Sequence, residues 1–180
     1  MDFDPMNPRS DHDLLRRLKS GEQQAWTEFT REYGARVYNY LLSNLPSHED
    51  VQDVLNETMF GAVKAVQKFD GNASLSTLVF KIAKHKLVDF YRKHQNMSEL
   101  LDTVPENSNS GATERIEFLE ALEDLPEASR EALLLRYQVG LSVSEVAQVM
   151  DRSYKGVESL LSRAREQLRK ALDDAIGQNG

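Results

Sequence analysis

Apolar residues recur along this chain at spacings of three and four, with polar residues filling the gaps. No window alternates with period two for long enough to suggest a strand, so the pattern predicts helices almost throughout. Ser10 with Asp13 three residues on resembles a capping-box start, and Gly21 is a natural stop. A long amphipathic stretch follows from Glu22 to Asn44 and is closed by Pro46. Ser47 with Asp50 marks another start, for a helix running to about Phe69. Asp70, Gly71 and Asn72 are turn residues, and Ser74 opens a helix that reaches about Gln95.

The pattern then breaks. Asn96 to Thr113 is polar and holds Pro105, Glu106, Asn107, Ser108, Asn109, Ser110 and Gly111, which read as a linker. Leu100, Leu101 and Val104 interrupt its polarity, so part of it is expected to dock. Its 18 residues would span roughly 60 Å fully extended. Four helices are predicted beyond it. The first covers Thr113 to Asp124. Pro126 suits the first turn of the second, which Gly140 ends. Ser142 with Glu145 is a full capping box opening the third, to Met150. Asp151, Arg152 and Ser153 form a tight turn, and the last helix runs to about Ala175. The expected fold class is all-α: two small helical domains, 10–95 and 114–180, joined by a flexible linker at 96–113, behind a loose tail at 1–9. The second domain contains a helix-turn-helix.

Two of these helices carry chemistry. From Leu75 onward, Leu75, Leu78, Val79, Ile82 and Ala83 occupy i, i+3, i+4, i+7 and i+8, and Leu87 and Phe90 extend that face. On the opposite side Lys81, Lys84, His85, Val88 and Arg92 form a stripe. Lys86 falls inside the apolar sector and must snorkel to its edge. A core face backed by cations suits a helix that tracks a nucleic-acid backbone. Phe69, Phe80, Phe90 and Tyr91 lie near it. Phe90 belongs to the core face, whereas Phe80 and Tyr91 lie off it and could present planes on which an unpaired base stacks.

The second is the pair of helices from Leu141 to Arg169. Val143, Val146, Ala147 and Met150 point inward from the short helix, and Val157, Leu161, Ala164 and Leu168 from the long one. Two helices joined by so short a turn form the DNA-binding hairpin whose second helix enters the major groove. Its early exposed face holds Lys155, Glu158, Ser159 and Ser162, with Ser153 in the turn and Arg152 and Arg163 flanking. Lysine can reach guanine O6 and N7, glutamate can accept from cytosine N4, and serine pairs with either. Flanking arginines suit phosphates.

The net charge alone runs against this reading. The 180 residues carry 22 bases and 29 acids, net −7, and phosphate contacts need cations. Local charge resolves the conflict, because local field decides what approaches a surface. Lys81 to Lys93 and Arg152 to Lys170 are each net +4, while Glu99 to Glu131 is net −8. Cysteine is absent, which excludes disulfides and thiolate metal sites and makes a reducing cytoplasm the default. No apolar run approaches a membrane span, and Met1 to Asp13 lacks a signal-peptide layout. His12, His48, His85 and His94 are scattered, with no HExxH, Walker loop or Gly-x-Gly-x-x-Gly, so no catalytic residue, metal or cofactor is expected.

In this order these segments resemble the small sigma factors of bacterial RNA polymerase, of the extracytoplasmic-function (ECF) group. Glu49 to Phe60 looks like the acidic part of the family's first domain that docks on the polymerase clamp, and Leu78 to His85 like its promoter-melting segment. Leu125-Pro126, Arg130-Glu131 and Leu135-Arg136-Tyr137 look like the opening of the second domain, and Arg163-Ala164-Arg165 closes the recognition helix in the family manner.

The resemblance implies that the first domain binds the −10 promoter element and captures a flipped base, using Phe80, Lys81, Lys84, His85 and Arg92. The second would read the −35 element through Arg152, Ser153, Lys155, Glu158, Ser159, Ser162 and Arg163 while sitting on the polymerase flap. Asp50, Asp53, Asn56 and Glu57 would face polymerase, and the linker would thread toward the active-site cleft. The partners implied are core RNA polymerase and promoter DNA, with room for a separate anti-sigma factor, since no further domain is expected after the last helix. The free protein is expected to be a monomer. The acidic middle would face polymerase and discourage free binding to DNA.

Leu78 stands where the family usually has Trp, His85 where it has Asn, and Asn56 where Gln is common. Glu158 and Leu160 stand where bases are frequent. His85 is accordingly expected to tune the −10 preference. The rival reading is a helix-turn-helix regulator acting on operator DNA without polymerase. Such proteins usually dimerise on half-sites, and nothing in the sequence reads as a dimer element.

Overall fold

The computed structural model describes residues 8–98, 122 and 125–178, with side chains over 11–94, 122 and 125–172. The chain divides into two compact units, Met1–Glu106 and Asn107–Gly180. The described residues are helical, with no strand among them.

The first unit holds α1 (Pro8–Lys19), α2 (Gln23–Leu42), α3 (His48–Lys68) and α4 (Leu75–Ser98). α1 begins at Pro8, so Ser10 lies inside its first turn and not at its start, and Pro8 and Arg9, expected in the tail, are helical. Proline fits there because first-turn N–H groups have no helical partner. Gly21, at φ +79, ends the helix as expected. The Glu22 amide donates to the Arg17 carbonyl and the Gly21 amide to that of Leu18, each at 3.1 Å, the bonding of a Schellman stop. Ser47 caps α3, its hydroxyl accepting from the Asp50 amide.

The core of this unit is aromatic. Phe29, Tyr33, Tyr40 and Phe80 are fully buried with Val37, Leu41, Val51, Val66 and Val79. Phe29 and Tyr33 pack with ring centroids 4.8 Å apart, and Tyr40 meets Phe80 edge-on at 5.7 Å. Each such pair adds about 0.5–1.5 kcal/mol beyond its buried area. Burial pushes the Tyr33 phenol well above its ordinary pKa.

The second unit holds α5 (Glu127–Leu133), a π-helical segment (Leu134–Gln138), α6 (Val143–Val149) and α7 (Tyr154–Gln178). Pro126 stands just before α5 and not within its first turn. The π-turn was not anticipated. The Val139 amide reaches the Leu134 carbonyl at 3.0 Å, five residues back. This wider turn buries Leu134 and Leu135 together and leaves Tyr137 exposed. Gly140 closes it at φ +83.

Residues 96–98, expected to open the linker at 96–113, belong to α4; the rest of that linker and the expected helix at 113–124 lie outside the described residues, apart from Leu122, which is helical and buried. Most of the acidic middle lies there too. Among the described residues no helix is long and apolar enough to cross a membrane.

Candidate functional site

The helix-turn-helix is built from its caps. Ser142 accepts from the Glu145 amide at 3.2 Å, and Glu145 accepts from the Ser142 amide at 2.8 Å. That reciprocal box fixes where α6 starts. α6 ends with Asp151 at φ +51 and the Arg152 amide bonded to the Ala147 carbonyl at 2.9 Å. Aspartate tolerates this left-handed position better than most residues. Ser153 then caps α7, accepting from the Gly156 amide at 3.1 Å.

Val146, Ala147, Val149 and Met150 of the first helix are buried against Val157, Leu160, Leu161 and Ala164 of the second. Val143 and Leu168, expected inward, are half-buried, and Leu160 joins the core. The Leu160 departure therefore lies off the solvent face. Arg152, Ser153, Lys155, Glu158, Ser159, Ser162 and Arg163 are all exposed. At 100° per residue the helical ones form one continuous face, available to a groove.

On α4 the cationic stripe also faces outward. His85 and Arg92 are exposed, Lys81 and Lys84 half-buried, and Val88 lies exposed among them. Arg92 is ion-paired with Asp89. Phe80 requires a correction. It was expected to offer a plane to an unpaired base, but it is fully buried, with Tyr40 edge-on and the Arg36 guanidinium 5.5 Å from its centroid. Its direction lies on the flank of the core sector, and α2 covers that flank. Tyr91 is exposed instead, its hydroxyl donating to the Asn44 carbonyl. Lys86 snorkels as expected and pairs with Glu57 at 2.9 Å.

On α3, Asp53, Asn56 and Glu57 are exposed and Asp50 half-buried. Asp50 accepts a hydrogen bond from the Ser47 hydroxyl at 2.6 Å, and Asn56 one from the Gln52 amide at 3.2 Å. The hydrogen bond from Lys86 holds the Glu57 carboxyl below its ordinary pKa. Sequence reasoning missed that Phe60 lies 63% exposed on this face, with Val63 beside it and the Lys64 ammonium 4.0 Å from its ring centroid. Helical spacing could have found it, because Phe60 lies opposite the buried Val54, Thr58 and Ala62. Tyr137, exposed and bonded to Arg165 at 3.4 Å, was also missed. Its signal lay in the π-turn, which no spacing rule shows.

Two family descriptions match the chain: "Sigma-70 region 2" over residues 29–97 and "Sigma-70, region 4" over residues 115–168. The ECF RNA polymerase sigma-E factor of Salmonella typhimurium (strain LT2) is 31% identical, covering 93% of this chain and 94% of its own length. The RNA polymerase sigma factor NccH of Alcaligenes xylosoxydans xylosoxydans is 29% identical, covering 94% and 98%. Among solved structures, CnrH in complex with the cytosolic domain of CnrY aligns with a TM-score of 0.71 at 28% identity, over 91% of this chain and 97% of that one. Both units thus match the two parts of one family, in the order that the two basic helices suggested, and the chain belongs to the ECF RNA polymerase sigma factors of the sigma-70 family.

Proposed function

We infer that this sigma factor directs core RNA polymerase to promoters by laying α7 on the −35 element and the α4 stripe on the −10 element, where it promotes strand separation. One observation carries the reading most. All seven residues expected at the −35 element are exposed around a helix-turn-helix whose two helix starts are both capped by side chains. On α4, Lys81, Lys84, His85 and Arg92 supply the backbone-tracking cations, and His85 is the residue closest to base chemistry. Phe80 stays out of this set and supports α4 from within. The α3 face of Asp50, Asp53, Asn56 and Glu57 docks polymerase. The structure of CnrH with CnrY supports expecting a protein partner for this chain too, in the role of an anti-sigma factor.

The test is transcription in vitro with bacterial core polymerase on a library varied at both elements. Initiation that depends on this chain and on both elements is the expected result. Binding to a palindromic operator as a dimer, with no initiation from any template, would favour the rival regulator reading.

A further inference from the structure

α1 contributes nothing to the DNA and polymerase faces described above, yet it carries an unusual group. Asp11 is only 8% exposed. One carboxylate oxygen accepts the backbone N–H of Leu75 at 2.9 Å, and the other accepts the Tyr33 hydroxyl at 3.3 Å. Leu75 is the first residue of α4, 64 positions away in the chain. Helix N-termini leave backbone donors without helical partners and favour negative charge. Here one donor is met locally, Ser74 accepting from the Thr77 amide at 3.0 Å, and another is met by α1.

At its other end α1 holds the opposite side of the same connection. The Lys19 ammonium donates to the carbonyl of Phe69, the residue that ends α3. Between these two anchors the turn lies against α1. A Cβ added at Gly71 would sit 3.5 Å from both the His12 ring and the Leu15 side chain. A buried carboxylate is costly unless its hydrogen bonds are made, so this arrangement opposes any displacement of α4 relative to α1.

We propose that Asp11 and Lys19 form a latch through which α1 positions the 69–74 connection and the start of α4 for promoter engagement. The inference rests on the role given to α4 above. The lever is long. His85 lies ten residues beyond Leu75, about 15 Å at 1.5 Å per residue, so a tilt of roughly 10° at the start would carry it about 3 Å. Asp11 and Lys19 are positioning residues; neither is assigned a contact with DNA.

The test compares wild type, Asp11→Asn and Lys19→Met in reconstituted holoenzyme. Asp11→Asn removes the charge at nearly constant shape. Lys19 is exposed, so its replacement leaves folding intact even if the Asp11 variant folds poorly. The expected results are a core-enzyme affinity within about twofold of wild type and a fraction of open promoter complex, read by permanganate reactivity of −10 thymines, lowered about threefold or more. Amide exchange at Leu75 in the Asp11 variant, and at Asn72, whose amide donates to Asp70 within the connection, in the Lys19 variant, should be about tenfold faster. Wild-type exchange rates in both variants would overturn the latch whatever the promoters do. Faster exchange with unchanged promoter opening would overturn its positioning role, as would core binding lost in proportion to opening. Wild-type holoenzyme that opens no promoter would sink the promoter reading itself, a result separate from the exchange rates.

Discussion

Replacing Phe80 by alanine separates a core role from a base-stacking role. The ring has no exposed surface, and truncating such a phenylalanine costs about 3–5 kcal/mol through lost transfer energy and the cavity left behind. The edge-on Tyr40 contact and the Arg36 guanidinium over the ring place it in the upper part of that range. Arg36 also donates to Ser76 at 3.2 Å, so it stays near its place and cannot refill the cavity. With a urea dependence of about 1–1.5 kcal/mol per molar for a unit of this size, the midpoint should fall by roughly 3–5 M. The chain's one tryptophan, Trp26, packs edge-on against Phe29 at 5.8 Å, so its fluorescence reports this unit. Phe80→Leu should lose only about 1–2 kcal/mol, since most of the volume is kept. A Phe80→Ala protein with an unchanged midpoint but weaker binding to single-stranded −10 DNA in holoenzyme would refute this reasoning.

Ser142→Ala removes half of the capping box and should cost the second unit about 1 kcal/mol, a drop of roughly 4–8 °C in its melting transition by circular dichroism. Glu57 has a folded pKa below its ordinary value because Lys86 donates to it. Its contribution is therefore present above the unfolded pKa and lost as pH falls through the folded one. The Glu57 side chain is 52% exposed, so screening keeps the effect under about 1 kcal/mol. Glu57→Gln and wild type should differ slightly in urea midpoint at neutral pH and converge as pH falls below the folded pKa of Glu57. Arg163→Ala should weaken holoenzyme binding on all −35 sequences alike and reduce the salt slope by about 1. Glu158→Lys should instead reorder those sequences by about 1–3 kcal/mol at the contacted base pair. Gel-shift titrations across −35 variants distinguish the two patterns.

Local rules carried much of this fold. Ser47, Gly21, Gly140 and the Ser142–Glu145 pair end or begin helices where the sequence places them, because caps and left-handed glycines act over four or five residues. The exposed faces of α4 and α7 followed from a 3.6-residue period. What the period could not assign were positions on the border between core and solvent. Phe80 and Phe60 are both aromatics with polar and apolar neighbours in sequence, yet α2 buries the first, whereas the second stays exposed with the Lys64 ammonium over its ring. For the same reason Leu160 is buried and Val143 only half-buried.

The sequence alone, then, determined the all-helical class, the two basic faces and the turn between α6 and α7, since these depend on short-range spacing and capping chemistry. Only the tertiary structure decided the rest. It placed Asp11 under the start of α4, Lys86 on Glu57, and Tyr137, within the π-turn, against Arg165. Each of these pairings joins residues at least 28 positions apart. Such contacts are chosen by how whole helices pack, and no local pattern encodes them.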